Sequence, residues 1–127
     1  MPSNAHVVYS YVNASNDAEG VEVLLGVVPD EKSLIRVSRE IKALYGTPPY
    51  GVEDDVPWFR TKKEPGEVHV VVNCDPERAV GRAVFDDRSE ADDFVARERA
   101  DGDQVDLVTM QMGVMDYSRF GVGSRCP

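Results

Sequence analysis

The chain has 127 residues, 42% of them hydrophobic and 29% charged, which is the composition of one ordinary globular domain able to bury a core without a metal. Its formal net charge is −9, and residues 64–127 carry seven Lys+Arg against fourteen Asp+Glu. That balance argues against nucleic acid and anionic membranes as partners, since both require a clustered cationic face. No segment approaches the ~18 apolar residues of a spanning helix. Met1–His6 lacks the basic and apolar regions of a secretory signal, so a cytoplasmic protein is expected.

In chain order, His6–Val12 is rich in Val and Tyr and reads as a first strand. Asn13–Gly20 gathers Asn, Ser, Asp and Gly and reads as a turn region. Val21–Val28 is a nearly continuous apolar run, predicting a second strand that pairs with the first across a long hairpin loop. Asp30 then offers an N-cap carboxylate for a helix. Leu34, Val37, Ile41 and Leu44 recur at helical spacing, with Ile35 and Tyr45 widening the stripe. Lys32, Arg36, Arg39, Glu40 and Lys42 take the other face. Gly46 suits the position just past the helix end, and Pro48-Pro49 prevents its resumption.

Thr47–Pro57 is the least regular stretch, followed by Trp58–Lys63 as a short strand and Glu64-Pro65-Gly66 as a turn. Gly66–Asn73 is a β-branched run, Cys74–Arg78 turns, and Ala79–Phe85 is its hairpin partner. Asp87 or Ser89 caps a second helix, with Glu90 or Asp92 completing a capping box. Its apolar stripe, Ala91, Phe94 and Val95, is thin, and it ends near Ala100-Asp101-Gly102. Gln104–Tyr117 reads as a long last strand with Val108, Met110, Met112 and Val114 on one face. Val105 and Leu107 have the opposite parity, which predicts a bulge near Leu107–Val108. Residues 118–127 form a Gly/Ser-rich tail.

Strand, strand, helix, strand therefore occurs twice. His6-Val7-Val8-Tyr9 is echoed by His69-Val70-Val71-Val72, and Asp30-Glu31-Lys32-Ser33 by Asp86-Asp87-Arg88-Ser89. The pattern allows a ββαβ pseudo-repeat with halves 5–63 and 66–117, the second having the shorter hairpin loop. The expected fold is a single two-layer α+β domain, residues 1–127, with an antiparallel or mixed sheet of about six strands and two helices on one face. Helices on one face would leave the other open to a ligand, a partner or a second copy.

Chemistry-bearing patterns are sparse. His6 and His69 occupy equivalent strand positions, but no further ligand spacing makes a metal site, and no metal or cofactor is expected. Cys74 and Cys126 match neither a zinc site nor a redox Cys-x-x-Cys, and a bridge between them is left open. Asp86 and Asp87 read as helix caps and Asp75 as a turn residue before Pro76. Gly121–Ser124 lacks the strand–turn–helix setting of a phosphate loop, and no nucleophile elbow or dinucleotide fingerprint occurs, so the reading leans away from an enzyme.

Interaction features are better represented. Tyr50, Trp58 and Phe59 are aromatic anchors in or beside the irregular stretch, and Met110 and Met112 share a face of the last strand. Each has a competing role as core filler. The leading reading is a non-catalytic acidic interaction protein, in the class of inhibitory or accessory modules. It would act on a protein partner with a basic surface, or by homo-oligomerisation. One alternative is a small-molecule binder or small enzyme with a pocket between the sheet and residues 46–63, using Tyr50, Trp58, His69 and Asp75. Another is a structural subunit of a larger assembly.

Overall fold

The computed structural model describes residues 3–13, 20–46, 50–64, 66–119 and 125–126. Residues 14–19 of the turn expected at Asn13–Gly20, Pro48-Pro49, Pro65 and residues 120–124 of the Gly/Ser-rich tail lie outside the described residues. The elements are β1 (Ser3–Asn13), β2 (Gly20–Val28), α1 (Glu31–Tyr45), β3 (Tyr50–Phe59), β4 (Glu67–Asn73), β5 (Gly81–Phe85), α2 (Arg88–Ala100) and β6 (Val105–Gln111), followed by a 3-10 turn at Tyr117–Arg119. They build an α+β fold around one mixed sheet of order β2-β1-β3-β5-β4-β6. All neighbours are antiparallel except β3 and β5, which pair in parallel only at Trp58↔Val84 and Phe59↔Phe85. The shorter second half reflects shorter strands, not a shorter loop: β4 and β5 have 7 and 5 residues where β1 and β2 have 11 and 9.

Cross-strand register sorts the core by face. Ser3, Ala5 and Val7 share one parity and stand opposite Trp58, Val56 and Glu53; Trp58 pairs with Val84, Val84 with Val70, and Val70 with Val108. This face carries the main core, Ala5, Val7, Leu24, Val27, Val56, Trp58, Val68, Val70, Val72, Val80 and Val84, with Val108, Met110 and Met112 packed against it. The alternate residues lie under the helices. Val8, Leu25 and Val28 meet Val37 and Ile41 of α1, and Val71, Ala83, Phe85 and Val105 meet Ala91 and Val95 of α2.

The face opposite the helices is therefore not open, contrary to expectation. Val7, Val27, Val68, Val70, Val72 and Val84 are completely buried. The sheet curls until its outer strands are joined by the residues after β6. Gly113 N donates to Val27 O at 2.7 Å, and Asp116 N donates to Leu25 O at 2.8 Å. A turn at Met112–Gly113, with Gly113 at φ +82°, redirects the chain onto β2, so the predicted long last strand stops at Gln111. No bulge interrupts its pairing with β4. Both parities of β6 are apolar because one faces the inner core and the other faces α2.

The irregular stretch expected at 47–57 is also corrected, since β3 runs unbroken through Tyr50–Phe59. Asp55 supplies the irregularity as a left-handed residue at φ +61°, where the partners of β1 skip from Val56 to Glu53. This bulge lets Glu53 and Val56 face the same side. Where β3 and β5 have separated, the Glu53 carboxylate takes the amides of Val80 and Gly81 at 2.6 and 2.7 Å, in place of the missing ladder bonds. A side chain at Gly81 would meet Val7 Cγ2 at 2.8 Å.

The C-terminal residues complete the closure. Arg119 Nε donates to Leu24 O at 2.8 Å and Arg125 Nε to Glu22 O at 3.1 Å, continuing along the edge of β2. The buried Arg125 guanidinium also reaches into the 74–80 loop, with Nη1 2.7 Å from Asp75 O and 2.6 Å from Arg78 O. Longer bonds run to the carbonyls of Asn73, Pro76 and Ala79. Next to it, Cys126 and Cys74 form a disulfide with a Cα–Cα distance of 5.4 Å and a sequence separation of 52.

A loop of that length implies stabilisation of about 4 kcal/mol from restricting the unfolded chain. Reduction, or the Cys74→Ser/Cys126→Ser pair, is expected to lower Tm by about 15 °C in calorimetry. Arg125→Met, which strands several carbonyls, is expected to cost about 3 kcal/mol with the disulfide intact. Denaturant midpoints within about 0.5 kcal/mol of the parent would refute this assignment.

Candidate functional site

One candidate surface is built on α1. Asp30 starts the helix by accepting Ser33 N at 2.8 Å, and Gly46 ends it at φ +78° with its amide on Lys42 O. Burial of Val37 and Ile41 against Val8, Leu25 and Val28 fixes the rotation of the helix. That rotation leaves Ile35 50% and Leu44 59% exposed. The apolar stripe read from the sequence is thus divided: its centre is core and its margins reach the surface.

An open groove of about 450 Å³ runs along this margin. Glu31, Leu34, Ile35, Ser38, Arg39 and Lys42 line it from the helix, and Tyr50 closes it from the start of β3. The spacing 31, 34, 35, 38, 42 describes one side of a helix. Ile35 also borders a second depression of about 390 Å³ with Lys32, Ser33, Arg36 and Arg39. Arg36 is engaged, donating to Gly113 O at 2.9 Å and lying 3.8 Å from Glu40. Lys32, Arg39 and Lys42 are exposed and form no ion pair among the described residues. The groove therefore joins apolar walls to a cationic rim on a chain whose net charge is −9.

A second surface lies at the end of β3. Asp86, expected as a helix cap, instead leaves that role to Asp87 and is 2% exposed. Its Oδ1 accepts Trp58 Nε1 at 2.8 Å, and its Oδ2 accepts the amides of Thr61 and Lys62, both at 2.9 Å. Burial pushes the carboxyl up, but these bonds and the Lys62 charge outweigh it and hold the pKa below its ordinary value. The residue thus fixes the Arg60–Lys63 loop. Arg60 lies 4.8 Å from the Trp58 ring centroid and donates to Lys62 O and Lys63 O. Phe59, 43% exposed, stacks on Phe85 at 4.7 Å, and Phe94 continues the cluster at 5.3 Å.

The structure disperses the binding residues named from sequence. Tyr50 belongs to the α1 groove and Phe59 to the second surface. Trp58, 2% exposed, is core, and Met110 and Met112 pack against that same core. His69 is buried on the helix side, with Nδ1 2.9 Å from Thr109 Oγ1, whereas Asp75 lies in the 74–80 loop and accepts Glu77 N at 3.0 Å. Asp75 lines a different depression, with Asn73, Arg78 and Asp103, from those of Tyr50 and Trp58. His6, on β1, pairs with Asp54 at 2.6 Å, and strands β3 and β5 separate β1 from the β4 of His69. Among the described residues no group of three or more His, Cys, Asp or Glu is placed to hold a metal ion. No helix among the described residues is long and apolar enough to cross a membrane. Comparisons with protein-family models, curated proteins and solved structures find no match to this chain.

The lowered pKa of Asp86 has a definite sign in stability. An unfolded Asp titrates near pH ~3.9, so its contribution is complete above that value and is lost as the pH falls toward the folded pKa. Asp86→Asn turns amide hydrogens toward existing donors and is expected to cost about 2 kcal/mol at pH 7. Urea titrations should show that gap narrowing below pH ~4. A gap independent of pH would assign the cost to packing alone.

Proposed function

We propose that this chain is a non-catalytic interaction protein whose binding surface is the outer margin of α1. The observation that carries the reading is the groove beside Ile35 and Tyr50, bordered by Arg39 and Lys42 on a rigidly seated helix. The filled inner face favours an exterior surface over a ligand cavity inside the sheet. An open groove of this kind matches the way a helical segment docks on a partner, by inserting apolar anchors between charged margins. Inhibitory and accessory roles are the natural uses of such a module. The Cys74–Cys126 disulfide supports an oxidising compartment, in place of the cytoplasm expected from sequence.

Capture experiments with matched surface variants test the reading. Partner retained by the parent protein is expected to fall at least about tenfold with Ile35→Asp, an exposed change that leaves the core intact. Gln111→Lys on β6 should retain it fully. Equal retention by Ile35→Asp and the parent would remove α1 as the surface.

A further inference from the structure

Resting on the α1 reading, we infer that the groove accepts an acidic amphipathic helix presented by a different protein. Local and total charge point in opposite directions on this molecule. The net charge of −9 suggests a basic partner, but contact occurs at the groove, and there the cations are Arg39 and Lys42, with Lys32 beyond Ile35 on the adjoining depression. Among the nearby acids, Asp30 caps the helix through Ser33 N and acts on Lys32, not on the groove cations Arg39 and Lys42. Glu40 is taken by the Tyr117 hydroxyl and by Arg36, which leaves Glu31, at the first position of the helix, as the acid on the lining. Arg39 and Lys42 form no ion pair among the described residues, so a binding segment gains by bringing negative charge to them.

Its apolar requirement is equally specific. Leu34, Ile35 and Tyr50 form walls open along the length of α1. Such a trough suits a rod with apolar side chains on one face, spaced i, i+4 and i+7, better than a compact solute that needs enclosure. A second copy of this chain supplies the charge with a poorer apolar stripe, since Phe94 of its acidic helix is packed on Phe85. Its acidic helix, α2, has Ala91 and Val95 buried against its own sheet, while Asp92 and Asp93 face outward. The occupant is accordingly a helix from another protein, with Leu-like anchors flanked by Glu or Asp.

The test uses two fluorescein-labelled synthetic peptides of identical helical pattern. One has Leu anchors flanked by Glu, and its twin has Lys in place of every Glu. Fluorescence anisotropy with the full-length oxidised chain at physiological ionic strength is expected to give at least tenfold tighter binding of the Glu peptide. Arg39→Glu/Lys42→Glu should reverse the preference, and Ile35→Asp should weaken both peptides at least tenfold, with circular dichroism verifying that each variant is folded. Equal or tighter binding of the Lys peptide, or no binding of the Glu peptide, overturns the acidic-helix assignment. The α1 reading is judged separately, by whether Ile35→Asp loses captured partner. Light scattering supplies the remaining arm: a dimer abolished by Ile35→Asp would make the occupant a second copy and overturn the inference.

Discussion

Closure of the sheet depends on the Arg125 guanidinium. Its donors lie between the β4–β5 loop and the edge of β2, bonding Glu22 O on one side and Asp75 O and Arg78 O on the other. A guanidinium has five donors in a fixed plane and retains its charge at any accessible pH, which suits it to several carbonyls that converge from different directions. A lysine would reach the same place as a point charge and leave part of the set unbonded. The adjacent disulfide serves the same junction through the unfolded state, by limiting how far residue 126 can travel from residue 74. One device satisfies buried polar groups and the other restricts chain entropy, so they contribute by separate routes.

What this junction protects is the β2 edge. A sheet with unpaired outer strands presents a template for further pairing, and natural proteins cover or close such edges. Here Gly113 N, Asp116 N, Arg119 Nε and Arg125 Nε occupy the carbonyls of Val27, Leu25, Leu24 and Glu22 in turn. The same segment ties back to α1 through the Arg36 bond to Gly113 O and the Tyr117 hydroxyl on Glu40. Burial, followed by the Glu40 contact, raises the Tyr117 pKa well above its ordinary value, keeping that phenol a donor. The helix that carries the candidate groove is thus held from beneath by Val37 and Ile41 and from the side by the closing segment.

Elements with local causes were legible in the sequence, and those with distant causes were not. Asp30, Asp87 and Gly46 announce helix ends through bonds spanning two to four residues, and Val21–Val28 and Gly66–Asn73 carry their strand propensity within themselves. Strand β3 was hidden because Gly51, Asp54, Asp55 and Pro57 all weigh against a strand. It forms because β1 supplies a complete partner, from Ser3↔Trp58 to Ser10↔Tyr50. Arg125 left no trace because its acceptors are backbone carbonyls, which every residue possesses. The exposed margin of α1 was visible as Ile35 and Tyr45 widening the stripe, but a wide stripe is also what a deeply buried helix shows. Only the seating of Val37 and Ile41 distinguishes the two.

That distinction also bears on how the surface would bind. A helix whose rotation is set by two fully buried side chains and whose flank is bonded to a closed sheet presents the backbone positions of Ile35, Arg39 and Lys42 in one arrangement before any partner arrives. Little backbone entropy remains to be lost on its side of an interface, and the cost there is the ordering of the exposed Arg39 and Lys42 side chains. In the proposed complex the exposed cations would act mainly on encounter and register, and the apolar walls on its lifetime. The acidic remainder of the molecule has a complementary effect, because it repels acidic segments wherever the cationic rim is absent. Local charge opposite in sign to the global charge would thus confine an acidic helix to the cationic patches, of which the α1 groove is the proposed one and the Arg60–Lys63 loop is the competitor.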